Sequence, residues 1–155
     1  MADVAQSFLS ESRAFLTEEY LPSIEACVAR LNDQQIWSRS NESSNSIGNL
    51  ILHLAGSTRY WATEVIGGTP IGRVRQKEFD QRDIIPIADL MPQLRAAVAE
   101  ADARLASLTG PTLLETRKTR NEEFSVLWCA YHIVEHFALH TGQIQSITKA
   151  LVGAV

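Results

Sequence analysis

Apolar residues recur at helical spacing through four long segments of this chain, and a polar or glycine- and proline-containing link follows each of the first three. That pattern constrains the fold more than any other feature, because residues at i, i+3, i+4 and i+7 share one face of a helix and must be buried together. The first segment runs from about Asp3 to Leu31, with Phe8, Phe15, Leu16, Ile24, Val28 and Leu31 expected to face inward. Pro22 falls inside it and should bend or interrupt the helix, since proline lacks the donor that continues the hydrogen-bond ladder. Residues 34–44 are polar and read as a loop anchored by Trp37. The second helix starts near residues 44–46, where serine or asparagine can cap free N–H groups. It carries Ile47, Leu50, Ile51, Leu54, Trp61 and Val65 and stops at Gly67 and Gly68.

A long connection from Thr69 to Ile85 follows, with Pro70, Gly72 and a concentration of charge. A third helix from about Ile87 to Leu108 has the stripe Leu90, Leu94, Val98, Ala101 and Leu105, and Gly110-Pro111 is expected to terminate it. Residues 112–123 are polar and compatible with extended backbone. The fourth helix spans about Phe124 to Leu151. Four helices with these links predict an all-α four-helix bundle in which residues 1–155 form a single domain.

Chemistry concentrates in histidine. The chain has only four, and His132, His136 and His140 stand at successive i, i+4 steps on the fourth helix. Such neighbours lie about 6 Å apart along the axis and about 40° apart around it, within reach of one metal ion. His132 and His140 are about 12 Å apart along the helix, too far for both to bind that ion, so one of the three must stay outside. The fourth histidine, His53, belongs to a polar row on the second helix: Asn45, Asn49, His53 and Ser57. If the two stripes face each other, His53 completes a three-histidine site with a position left open for substrate, the arrangement of catalytic rather than structural metals.

Other readings find less support. Cys129 lies near the same face as His136, but in a reducing compartment a lone cysteine is usually a small buried hydrophobe. Glu135 points about 100° away from His136 and suits a supporting acceptor or a surface charge. The HExxH signature of zinc proteases is absent, since Ile133 follows His132. The formal charge of −4 and the dispersed basic residues argue against nucleic-acid binding. No apolar run reaches the roughly 18 residues of a membrane span. The N-terminal residues do not read as a signal peptide, so the expected compartment is the cytoplasm.

Three stretches carry a resemblance: SIGNLILHLAGSTRYW around His53, the segment from Gly67 to Phe79 with its Arg73, Arg75, Glu78 and Phe79, and VEHFALHTGQIQSITKAL from Val134. Together they resemble the DinB-like superfamily from the second helix through the fourth. The resemblance implies a four-helix bundle with a long connection between helices 2 and 3. It also implies a divalent metal held by one histidine of the second helix and an HxxxH pair of the fourth. In such proteins the pair directly precedes a segment like TGQI, which selects His136 and His140 beside His53 and leaves out His132.

The superfamily includes metal-dependent transferases that activate a low-molecular-weight thiol and proteins described as metal-dependent hydrolases. The preferred reading is a thiol S-transferase acting on a small molecule, with zinc or nickel ahead of manganese or iron. The alternatives are a hydrolase using metal-bound water and a non-catalytic metal- or ligand-binding bundle. A homodimer is compatible with each. Asn49 and Ser57, one turn on either side of His53, are the candidate pocket residues. Arg73 and Arg75 read as a solvated charge cluster, with an anionic substrate as the alternative partner.

Overall fold

Pro22 does not break the first helix, because the turn in front of it widens. In the computed structural model, which describes residues 3–119 and 121–153, α1 (Val4–Ala14) passes into a π-helical stretch (Phe15–Tyr20) and then into α2 (Leu21–Val28). The amide of Leu21 bonds back five residues to Leu16, and Pro22 then occupies the first turn of α2, where a missing donor is tolerated. The extra residue in the π turn shifts the buried face. Leu9, Ser12 and Leu16 point inward, whereas Phe15, expected in the core, is 44% exposed.

The polar segment after this rod is only partly a loop. Asn32 and Gln35 form a reciprocal capping box that nucleates α3 (Asp33–Trp37), correcting the expectation of irregular backbone. Trp37 does anchor it: the indole N–H donates to the Ile85 carbonyl at 2.8 Å. The ring also lies so close to Gly48 that a Cβ there would sit 2.6 Å from it.

Ser46 and Asn49 form a second capping box at the start of α4 (Ile47–Arg59). That helix continues into another π-helical stretch (Tyr60–Ile66) and ends at Gly67. The connection that follows contains the short α5 (Arg75–Asp80) and returns to α6 (Ile87–Ala106). All five residues expected to form the α6 stripe are buried, against α4 above all. Gly110-Pro111 does not end α6, which stops at Ala106, but opens the one-turn α7 (Gly110–Leu113).

A two-stranded antiparallel hairpin, β1 (Thr116–Lys118) with β2 (Glu123–Ser125), takes up the polar segment and pairs Arg117 with Phe124. Strand β2 therefore claims Phe124, and α8 (Val126–Val152) starts two residues later than expected, capped by Ser125. The rod of α1 and α2, with α4, α6 and α8, encloses one apolar core, giving the all-α four-helix bundle. Among the described residues no helix is long and apolar enough to cross a membrane.

Candidate metal centre

Both polar stripes run at the same offset from a core stripe. On α4, Asn49, His53 and Ser57 each precede by one residue the buried Leu50, Leu54 and Thr58; on α8, His132, His136 and His140 precede Ile133, Phe137 and Thr141. One residue is about 100° of helix, so each polar row flanks its core row and meets the other where α4 packs against α8. The α4 row is not a solvent-facing surface: Asn49, His53 and Ser57 are all buried.

Three of the four histidines converge. His53 Nε2 lies 3.1 Å from His136 Nε2, which lies 2.9 Å from His140 Nε2. One donor atom from each falls within 4.8 Å of the others. The remaining ring nitrogens fix how the site is protonated. His53 Nδ1 lies 2.8 Å from Glu78 Oε2, and an ionised carboxylate only accepts, so the proton sits on Nδ1 and the lone pair on Nε2. His140 Nδ1 lies 2.7 Å from Gln143 Oε1 and is fixed in the same sense. His136 Nε2 thus faces two lone pairs, and an N–H there can satisfy only one of them. A second lone-pair contact is left over, which a shared cation resolves. Two nitrogens each about 2.0–2.1 Å from one ion are about 2.8–3.4 Å apart at octahedral to tetrahedral angles, and both approaches to His136 Nε2, at 3.1 and 2.9 Å, fall in that range.

Burial keeps His136 and His140 neutral. Burial, followed by the neighbouring histidines, pushes His136 down to about 3. Burial likewise lowers His140, outweighing the hydrogen bond to Gln143. Neutral imidazole is the form that binds a metal.

Glu78 is the functional residue that helix periodicity could not find. Burial alone would raise its carboxyl, but hydrogen bonds from Arg73 and His53 outweigh it and hold the group below the usual carboxylate range. Arg73 forks onto it, with Nε 2.7 Å from Oε1 and Nη2 2.8 Å from Oε2. Arg73 is therefore a partly buried strut rather than part of a solvated charge cluster. Arg75 lies 4.7 Å over the ring of Phe79, and that ring tilts against His53 at 4.6 Å. The one available signal was a lone Glu three and five residues after two arginines in a segment between helices.

The other candidates separate. Asn49 does not line the cavity: its amide donates to the carbonyls of Glu78 and Gln81 at 2.8 and 3.1 Å, and its oxygen accepts from Arg39 and Ser46. It pins the Glu78 segment to α4. Ser57 does line the cavity, and its hydroxyl has no protein partner among the described residues. His132 stays outside the cluster, bonded to Glu135 at 2.8 Å and stacked on Trp128. Cys129 is fully buried and its thiol is pushed by burial up to about 11, which suits a packing role. Beside the histidines opens a cavity of about 890 Å³ walled by α4, its π extension, the α5 connection, the hairpin and α8.

The sequence matches the mycothiol-S-transferase family, a DinB-like family, over residues 12–153. Among solved structures, a conserved protein from Enterococcus faecalis has the same fold: it aligns over 99% of both chains with a TM-score of 0.74 at 15% identity. No curated protein matches the sequence.

Proposed function

Because the chain belongs to the mycothiol-S-transferase family, we propose that it is a metal-dependent thiol S-transferase in which His53, His136 and His140 hold a divalent ion. The observation that carries this reading is the double approach on His136 Nε2, at 3.1 and 2.9 Å, by two nitrogens whose other ring atoms are already hydrogen-bonded. Zinc and nickel both suit an all-imidazole donor set, as do copper and iron. When bound, such an ion lowers the pKa of a thiol or water ligand and so supplies a nucleophile at neutral pH.

The protein's own groups do the rest. Glu78 holds the Nδ1 proton of His53 and thereby keeps Nε2 directed at the site, while Arg73 keeps Glu78 ionised in a partly buried position. Gln143 performs the orienting role for His140. Asn49 fixes the backbone that carries Glu78. Ser57, one turn beyond His53, offers a hydroxyl to whatever occupies the cavity. The cavity is large enough for two small reactants, given that single-ligand pockets run from about 300 Å³ upward.

The test is elemental analysis of protein never exposed to nickel resin, followed by thiol-transfer and hydrolysis assays with the ion found. Near-stoichiometric metal and transfer of a low-molecular-weight thiol to an electrophile support the reading. A parent that is metal-free and rejects added zinc, nickel and manganese overturns it, and metal with hydrolysis but no transfer redirects it to bound water.

A further inference from the structure

One side of the cavity gathers a cluster of rings, beside the polar hairpin residues Thr119, Asn121 and Glu122. Phe124, Trp128, His132 and His136 follow one another at four-residue spacing and stack as a ladder, with centroids 4.1, 4.8 and 5.3 Å apart. Trp61, from the π-helical stretch, lies across this ladder, 5.5 Å from Phe124, 5.2 Å from Trp128 and 5.1 Å from His132, at steep angles to all three. Helix rise puts Trp128 about 12 Å from His136 along α8.

Trp128 is nevertheless 38% exposed. Phe124 and His132 cover its two faces, so the exposed part is ring edge. Aromatic edges are electropositive and receive the π face of another ring in an edge-to-face contact. Neither the Trp61 nor the Trp128 indole N–H has a protein acceptor among the described residues, so both remain available to an oxygen on a ligand. Of the charged groups that line the cavity, three are engaged, while the Glu122 carboxylate on the hairpin has no partner among the described residues and disfavours an anion beside the rings. Arg73 is held by Glu78, Arg75 by the ring of Phe79, and Glu64 accepts from the backbone of Ile71 at 3.0 Å.

We propose that the wall formed by Trp61, Phe124 and Trp128 seats the second reactant, an uncharged, electron-rich planar aromatic electrophile, with its reactive carbon directed towards the histidine cluster. This rests on the transferase reading above. In the step it serves, written for a benzylic halide as the electrophile, the thiol proton goes to solvent, the thiolate sulfur forms a bond to the benzylic carbon, and the carbon–halogen bond breaks with the electron pair leaving as halide. Nothing is oxidised or reduced. The polar body of the thiol is left to the opposite, charged rim of the cavity.

Binding is tested apart from turnover with 2-naphthalenemethanol, an unreactive mimic, titrated calorimetrically into the full-length protein. The wild type should bind it about tenfold more tightly than cyclohexylmethanol, and Trp128→Leu should weaken it roughly five- to tenfold. Trp128→Phe, which keeps a ring and guards against misfolding, should stay within about threefold. Equal affinity for the two alcohols, or unchanged affinity in Trp128→Leu, overturns the proposal.

Turnover of 2-(chloromethyl)naphthalene and of iodoacetamide is then compared. The ratio of their kcat/KM values should fall at least about fivefold in Trp128→Leu, through the KM of the aromatic substrate. Equal loss for both electrophiles overturns the aromatic seat while leaving the transferase reading intact. Tight binding of the mimic with no transfer to either electrophile supports the seat and overturns the transferase reading.

Discussion

The carboxylate of Glu78 lies 2.8 Å from Nδ1 of His53, joining the connection after α4 to the histidine that α4 presents to α8. Partners of this kind fix the tautomer and orientation of a ligating imidazole, and their loss typically costs ten- to a hundredfold in metal affinity. Glu78→Gln keeps the shape but removes the charge that holds both His53 and Arg73. The expected outcome is metal affinity lower by about ten- to a hundredfold, measured by competition with a chromogenic chelator. Affinity equal to wild type would show that His53 is held by packing alone.

The histidine pair on α8 makes a sharper contrast. His140→Ala should leave the protein substoichiometric in metal after dialysis, because His140 Nε2 stands 2.9 Å from His136 Nε2. His132→Ala should retain its metal, because His132 is tied to Glu135 and stacked on Trp128. Equal retention by the two variants removes the assignment.

Much of this was legible in sequence, for identifiable reasons. The stripes of α4, α6 and α8 follow a 3.6-residue period that packing then enforces, and the three-histidine cluster needed only two such stripes to face each other. The helix ends were harder. The cap formed by Asn32 and Gln35 is local and polar, so a search for apolar periodicity passes over it, and the π turn before Pro22 changes which face is buried without changing composition. Glu78 was missed for a different reason. Its role depends on the chain folding back 25 residues to reach His53, a tertiary contact that no spacing rule expresses. Asn49 was read as a pocket residue because it shares the row of His53, although burial at the capping box turned its amide to the α5 connection.

Acid should destabilise the metal-free protein at a pH where few carboxylates titrate. The pKa of His136 falls from its ordinary 6.5 to about 3 on folding, so between those values the unfolded chain binds the extra proton. Stability therefore rises with pH through this window and is lost as pH falls below about 6.5. His140 is shifted in the same direction. Glu78, held below its ordinary value of 4.5, acts in the same sense only at lower pH, so a comparison of pH 7.5 with pH 5.5 isolates the histidines. Urea midpoints in excess chelator should be lower at pH 5.5, and His136→Gln should flatten the difference. An unchanged slope in that variant would place the titrating group elsewhere.

Gly56 tests the geometry from the opposite side. It lies on α4 three residues beyond His53, and a Cβ at this position would overlap Glu78 Oε1 and sit 2.9 Å from Cδ of the same carboxylate and 3.1 Å from Nε of Arg73. Glu78 is a flexible side chain, but here three hydrogen bonds to Arg73 and His53 hold it, so it cannot yield without giving some of them up. The exposed-helix preference for alanine over glycine, about 0.5–1 kcal/mol, works in the other direction. Gly56→Ala should therefore leave the metal-free fold near its original stability, by urea unfolding in chelator, while weakening metal binding about tenfold. In a Glu78→Gln background the same substitution should add little further loss, because the two changes act on one contact and are not additive. If instead Gly56→Ala lowered metal affinity by the same factor with and without the Glu78 carboxylate, the glycine would be shaping α4 itself and not the approach of Glu78 to His53.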